Sequence, residues 1–262
     1  MKITDAMRKE VKGQGFLSNN DGKHFSCRVI TENGAITADQ LINVAEIAKK
    51  YGSGDISLTS RLTLEIPGIK YEDIENTKEH LKKDNLVSGG TGSRVRPIVP
   101  CKGTVCTFGL CDTQGIGTKL HKEFYEKWYD VKLPHKFKIG VGGCPNNCIK
   151  PSLNDFGVIG QFVPDFDEDM CSGCKKCAPK DTCKVGAISM VDGKAFIDRE
   201  KCNNCGLCIG KCHFDAIDEG KKGLKIYLGG KWGKASRPGT PISGIHSEEE
   251  MMNILEKTLL IY

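Results

Sequence analysis

The chain has 262 residues, enough for one large domain or two with an insertion, and its 39% hydrophobic content suits a globular protein with a sizeable core. A formal charge of only +5 argues against a nucleic-acid partner; no apolar run approaches a membrane span, and MKITDAMRKEVKGQG at the start lacks the apolar stretch of a secretory signal. The expectation is a cytoplasmic protein with no membrane partner, in whose reducing surroundings fourteen cysteines mean metal sites rather than disulfides.

In chain order, FSCRVI (25–30) reads as a strand. Thr37 with Gln40 three residues on forms a capping box. It opens a helix with Leu41, Val44, Ala45 and Ala48 on one face. DISLTSRLTLEIPGI (55–69) predicts one or two strands, split near Ser60, and a second helix covers about 71–83 with Ile74 and Leu81 inward. Gly89, Gly90 and Gly92 mark a flexible joint. Beyond it, Leu120, Phe124, Trp128 and Val131 predict an amphipathic helix closed before Pro134. KFKIGVGG (136–143) and DFGVIGQFV (155–163) read as strands, as does the start of GLKIYLGGKWGK (223–234). Ser247 with Glu250 is a second capping box, opening a last helix that carries Met251, Ile254, Leu255 and Leu259.

Charge is unevenly spread. Residues 94–150 hold ten Lys/Arg against four Asp/Glu, and residues 164–220 hold eight against eleven. A basic middle suggests an anionic ligand, and the mildly acidic stretch suggests an exchange surface.

Residues 164–221 are cysteine-rich and internally repeated: Cys171-x2-Cys174-x2-Cys177-x5-Cys183, then Cys202-x2-Cys205-x2-Cys208-x3-Cys212. Soft thiolates suit iron–sulfur centres, and two-residue spacing turns successive sulfurs toward one cube. Zinc also accepts C-x2-C pairs, but a repeated triplet with a trailing cysteine is not zinc spacing. The two runs, with VGAI (185–188) and FDAI (214–217) after each fourth cysteine, resemble a bacterial two-cluster ferredoxin. The resemblance implies that each fourth cysteine serves the other cluster. One set is then Cys171, Cys174, Cys177 and Cys212, and the other Cys202, Cys205, Cys208 and Cys183. The first run departs from the pattern by its five-residue gap, and Lys184 and His213 stand where proline is usual.

Cys101-x4-Cys106 and GGCPNNC (142–148), with LTSRLTLEIPGI, TGSRVRP, a GT-x-C…DT stretch and LPHKFK, resemble the sirohaem-containing sulfite and nitrite reductases along nearly the whole chain. A ferredoxin inserted after GCPNNC is similar to the dissimilatory and anaerobic sulfite reductases in particular. The resemblance implies a third [4Fe–4S] cluster on Cys101, Cys106, Cys144 and Cys148, with Cys148 also bridging to the sirohaem iron. Four residues rather than five separate the first pair, and Cys111 is the alternative to Cys106. Cys106 keeps the family's offset to Asp112-Thr113; Cys111 and Cys27 otherwise read as small buried hydrophobes. Arg61, Arg96, Lys136 and Lys138 match the family's active-site cations, and the two lysines point the same way by the strand period. Such cations suit small oxyanions and cofactor carboxylates, with lysine as proton donor. Asn146 is expected to orient the loop or the cofactor rim; His135 reads as a surface residue.

The fold expected from the resemblance is α+β, a sirohaem-reductase-like two-unit α/β sandwich with an inserted ferredoxin domain. The domains are 1–90, 91–163 with 222–262, and the insertion 164–221. The implied reaction is six-electron reduction of sulfite to sulfide at a sirohaem, with three [4Fe–4S] clusters and an electron-donor protein as partner. Nitrite reduction to ammonia is the alternative, and an electron carrier without sirohaem is a third reading. One set of pocket motifs where the large enzymes have two halves predicts a homodimer, with a monomer or a partner subunit as the alternatives.

Overall fold

The computed structural model describes residues 3–262, and its first sheet grows from the alternating segment FSCRVI. Helix α1 (Asp5–Lys12) leads into β1 (Phe16–Ser18) and β2 (His24–Val29). Then come α2 (Ala38–Tyr51), β3 (Ser57–Leu58), β4 (Leu64–Lys70) and, after a 3₁₀ turn at Tyr71–Asp73, α3 (Ile74–Lys82). The strands pair antiparallel in the order β1-β2-β4-β3. Because side chains alternate across a strand, Phe25, Cys27 and Val29 all turn into one core, each 0% exposed, with Val44, Ile47, Ile66, Ile69, Ile74 and Leu81. Cys27 is thus a small apolar core residue, its thiol pushed up by burial. Arg28 stands on the opposite face of the sheet, paired with Glu65 at 3.1 Å.

The capping box of α2 forms in both directions. Its buried stripe differs from the expected one: Leu41 is 44% exposed, and Asn43, Val44, Ile47 and Ala48 turn inward. Asn43 donates to the His80 carbonyl at 3.1 Å and to Asp84, and burying that amide rotates the helix by part of a turn. The expected flexible joint is also corrected. Ser88, Gly89, Gly90 and Thr91 are buried, and the Gly89 N–H donates to the Arg28 carbonyl at 3.1 Å. A Cβ on Gly89 would stand 2.8 Å from the Tyr125 hydroxyl, so glycine here serves close approach rather than mobility.

After β5 (Val99–Pro100), α4 (Thr113–Leu120) continues as a π-helical stretch over His121–Glu126. Leu120 and Phe124 are buried as expected, but Val131 is 40% exposed and Tyr125 takes an inward place at 3%. A π turn holds an extra residue, which slips the apolar stripe past its α-helical period.

The second sheet holds β5, β6 (Ile139–Gly142), β7 (Phe156–Phe166), β10 (Ile217–Leu228) and β11 (Thr240–Pro241), in the order β11-β10-β7-β6-β5. Strands β7 and β10 form a long antiparallel hairpin from Phe156↔Leu228 to Phe166↔Ile217, with an irregularity between Glu219 and Lys222. Residues 167–216 leave and return at its end. They contain α5 (Ala178–Thr182) and the paired strands β8 (Ile188–Val191) and β9 (Lys194–Ile197), over a small core of Ile188, Ala195, Ile197, Cys208 and Ile217. The reciprocal Ser247–Glu250 bonds open α6 (Glu248–Ile261), which buries Met251, Leu255 and Leu259.

The chain divides into two compact units. One holds the residues up to Pro100, Gly115–Gly140 and Glu256–Tyr262; the other holds Cys101–Gln114 and Val141–Leu255. Among the described residues no helix is long and apolar enough to cross a membrane.

Candidate iron–sulfur centres and a cationic strand pair

All twelve cysteines of the sequence motifs lie in the second unit. In the C-x2-C turns the second intervening residue is left-handed, Gly173 at φ +66° and Asn204 at φ +55°, which curls the backbone so that flanking sulfurs share one side. Two separate cavities result. One is lined by Cys171, Cys174, Cys177 and Cys212; the other by Cys202, Cys205, Cys208 and Cys183. The five-residue gap of the first run is taken up by the short helix α5, whose Pro179 and Lys180 carbonyls accept from the Cys183 N–H at 3.1 Å.

The donor chemistry suits a cluster. The Ala195 N–H donates to Cys171 Sγ at 3.4 Å and the Ala187 N–H to Cys183 Sγ at 3.2 Å. Burial pushes the Cys208 thiol up to about 11, and the neighbouring thiols of Cys202, Cys205 and Cys183 push the same way. A bound cationic centre would favour thiolate at such a cysteine. Among the described residues no set of three or more His, Cys, Asp or Glu is drawn together as a single-ion site.

The third cysteine group rests on two glycines. A Cβ on Gly143 would stand 2.7 Å from the Gly103 Cα, so these loops meet backbone to backbone. Thr113 Oγ1 donates to the Cys101 carbonyl at 2.7 Å, Gln114 Nε2 does so at 3.0 Å, and Thr104 Oγ1 reaches Asp112 at 2.6 Å. The GT-x-C…DT stretch is therefore a clamp around Cys101 and Cys106. The Gly143 N–H donates to Cys101 Sγ at 3.1 Å. Burial raises the Cys144 pKa, an Asn146 backbone N–H lowers it, and the thiols of Cys106, Cys148 and Cys101 raise it again. Cys148 itself is exposed.

Cys111 turns elsewhere. Its thiol donates weakly to the Gly142 carbonyl at 3.9 Å, and a Cβ on Gly160 of β7 would lie 2.9 Å from its sulfur. Burial pushes it up to about 12, with Cys101, Asp112 and Cys144 adding in that order. Asn146 is exposed, whereas Asn147, left-handed at φ +56°, buries a carboxamide oxygen that finds no partner among the described residues. Sequence reasoning passed over Asn147. Its signal was the second asparagine of CPNNC, the position where a turn needs φ above zero.

The four cations expected for the active site belong to the first unit. Val95 and Phe137 form a parallel bridge and are 3% and 1% exposed, so their neighbours Arg94, Arg96, Lys136 and Lys138 sit on the alternate face of the paired segments. The Arg96 N–H donates to the Phe137 carbonyl at 2.8 Å, and Arg61 Nη2 donates to the carbonyls of Pro97 at 2.7 Å and Ile139 at 3.2 Å. Arg61, Arg96 and Lys138 thus gather around one strand pair; Lys136 is exposed beside them, and His135 is exposed as expected.

One cation was missed. Arg28 Nη1 donates to the Gly90 carbonyl at 3.2 Å, and Arg96 Nη1 donates to the same oxygen. Burial, and after it the Arg28 charge, lower the Arg96 pKa to about 10, with Tyr125 opposing. Arg28 is also paired with Glu65 at 3.1 Å, so of the two guanidiniums on this carbonyl only Arg96 has no carboxylate partner among the described residues. The signal was a charge at an alternate position inside FSCRVI, easily read as an ordinary solvent face.

Residues 91–262 match the family model described as the nitrite and sulphite reductase 4Fe-4S domain, and residues 18–84 match the nitrite/sulfite reductase ferredoxin-like half domain. The chain is 31% identical over 249 residues to the coenzyme F420-dependent sulfite reductase of Methanocaldococcus jannaschii, covering 95% of this chain and 39% of that protein. It is 33% identical over 216 residues to a component of the anaerobic sulfite reductase of Salmonella typhimurium, covering 73% of this chain and 59% of that component. The chain therefore spans less than two thirds of either relative. A crystal structure of dissimilatory sulfite reductase I shares the fold at a TM-score of 0.67 and 21% identity, over 89% of this chain and 61% of that one. The fold is that of the α+β sirohaem reductases, and with two thirds of its length under the 4Fe-4S domain model, the chain belongs to the nitrite and sulphite reductase family.

Proposed function

We propose that this chain reduces sulfite to sulfide, a six-electron reaction, with three [4Fe–4S] clusters and a sirohaem. The observation that carries the reading is the pair of four-cysteine cavities at the end of the β7–β10 hairpin, together with the separate clamp around Cys101 and Cys106. Cys101, Cys106, Cys144 and Cys148 would hold the third cluster, Cys148 would also serve the sirohaem, and Cys111 is a packing residue. Residues 164–221 act as the electron-relay insertion. When bound, the tetrapyrrole and its clusters supply the electrons that break S–O bonds.

The chain's own residues do the rest. Arg61 and Arg96, fixed by backbone carbonyls, hold a small oxyanion and cofactor carboxylates through charge-assisted hydrogen bonds. Lys136 and Lys138 deliver protons to oxygen leaving as water; unlike guanidinium, their ammonium groups give up a proton readily. Arg96 and Cys101 lie on one short segment, as do Lys138 and Cys144, so cations and thiolates come from the same stretches of chain. Asn146, with its neighbour Asn147, orients the loop that carries Cys148.

The sulfite reductase names of the two relatives above support sulfite over nitrite. With holoprotein from a sirohaem-making host and reduced viologen as donor, the expected result is sulfide formation, with a higher kcat/KM for sulfite than for nitrite. Clearly better use of nitrite at matched low concentrations overturns the choice. A second copy supplies the missing half of the site, so the holoprotein, cytoplasmic in this reading, is expected to sediment as a homodimer.

A further inference from the structure

The two cavities of the insertion are chemically unlike. The one lined by Cys183, Cys202, Cys205 and Cys208 has Pro164, Val185, Ala187, Ile188, Ile197 and Leu207 around it and no charged side chain other than the thiols. It is fastened to β7. The Phe162 N–H donates to the Asn204 carbonyl at 2.8 Å, Phe162 and Cys205 form a parallel bridge, and a Cβ on Gly206 would stand 2.8 Å from the Phe162 ring. The cavity of Cys171, Cys174, Cys177 and Cys212 has Lys176, Lys211 and His213 on its wall, all exposed, with the half-exposed ring of Phe214 and no acidic side chain.

Lys176 and Lys211 are the two lysines on the wall of this cavity; Lys175, Lys180 and Lys184 are likewise outside any ion pair among the described residues but do not line it. Lys194, Lys201 and Lys222 pair with Glu168, Asp198 and Glu219. Among the described residues neither Lys176 nor Lys211 takes part in an ion pair. Unpaired positive charge ringing a thiol cavity and an exposed aromatic, in a segment whose net charge is negative, is complementary to a negatively charged protein. It suits a brief encounter, in which charge steers the approach and a small apolar centre makes contact.

We propose that Lys176, Lys211, His213 and Phe214 form the docking surface for an acidic one-electron carrier protein, and that the cavity fastened to β7 is the inner of the two. The inference rests on the reading that the insertion holds clusters. Each encounter moves one electron from reduced carrier to this chain; the carrier leaves oxidised, and no bond or proton changes hands.

The test uses the holoprotein and an acidic plant-type [2Fe–2S] ferredoxin as probe. It measures ferredoxin affinity by calorimetry and the rate of cluster bleaching by stopped flow, at several salt concentrations. In a K176E/K211E variant with unaltered iron content, the ferredoxin-dependent rate should fall about tenfold or more and lose most of its salt dependence. Methyl viologen should still drive wild-type turnover. A control K201E/K222E variant should keep the wild-type ferredoxin rate. The proposal is overturned if the reversal at Lys176 and Lys211 leaves affinity, rate and salt slope unchanged, or if the control loses as much. It is also overturned if the reversal disrupts self-association of this chain while the ferredoxin rate stays as it was. Absence of viologen-driven sulfite and nitrite turnover in the wild type counts against the reductase reading instead, and calorimetry still decides the docking surface.

Discussion

His121 shows how a single side chain takes its properties from its surroundings. It lies at the start of the π-helical stretch, 6% exposed, stacked on Tyr125 with ring centroids 5.0 Å apart. Burial lowers its pKa from 6.5, and Glu126, 3.5 Å away, only partly opposes this. The unfolded chain therefore binds a proton at higher pH than the folded one. Above about 7 both states are neutral, and stability is lost as pH falls below 6.5 toward the lowered folded value. Substituting His121→Gln should flatten that slope between about pH 7 and pH 5.5, read from denaturant midpoints. An unchanged slope would assign the acid sensitivity to other groups. Arg28 and Arg96 teach the converse lesson: Arg28 reads as an ordinary surface cation and Arg96 as a family match, and only their shared Gly90 carbonyl makes them a pair.

Elements are where local sequence was most legible. Thr37/Gln40 and Ser247/Glu250 form reciprocal caps as their spacing predicts, because all the groups involved lie within one helical turn. FSCRVI alternates as a half-buried strand should. The misses share a cause. Leu41 faces outward because Asn43 is claimed by residues nearly forty positions away, and the Val131 end of the apolar stripe is lost to a π turn. At the loop carrying Cys144, the decisive feature is backbone contact between Gly143 and Gly103. Introducing Gly143→Ala would force those loops apart, since a contact of 2.7 Å to a backbone atom cannot relax cheaply. The expected outcome is loss of the iron held by the Cys101 group with the insertion's iron retained, measured by iron content and paramagnetic resonance. Full retention of all iron would refute the clamp.

For the whole molecule, the hairpin of β7 and β10 separates two kinds of stability. Its ladder runs unbroken in pairing from Phe156↔Leu228 to Gly160↔Leu224, well before the excursion of residues 167–216 begins. The excursion has its own small core, lined by cysteines as much as by aliphatic side chains. Small cores of this kind draw much of their folding free energy from the metal they bind. Replacing residues 167–216 by a two-residue turn should leave a folded protein with cooperative melting, lowered iron content and no ferredoxin-dependent reduction. Global unfolding of the shortened chain would show instead that the excursion is part of the second unit's core.

By itself the sequence determined what depends on near neighbours: the capped helices, the alternating strands, the cysteine triplets and, through GCPNNC and its companions, the family. Tertiary structure alone decided which segments meet. It turned Cys111 toward β7 and brought Gly103 against Gly143. It also put Arg28 beside Arg96 and left Lys176 and Lys211 unpaired on one rim. The physical reason is range. Caps and strand alternation are settled within a few residues, whereas a cavity wall or a charge cluster is built from groups whose proximity exists only once the chain has closed its long loops.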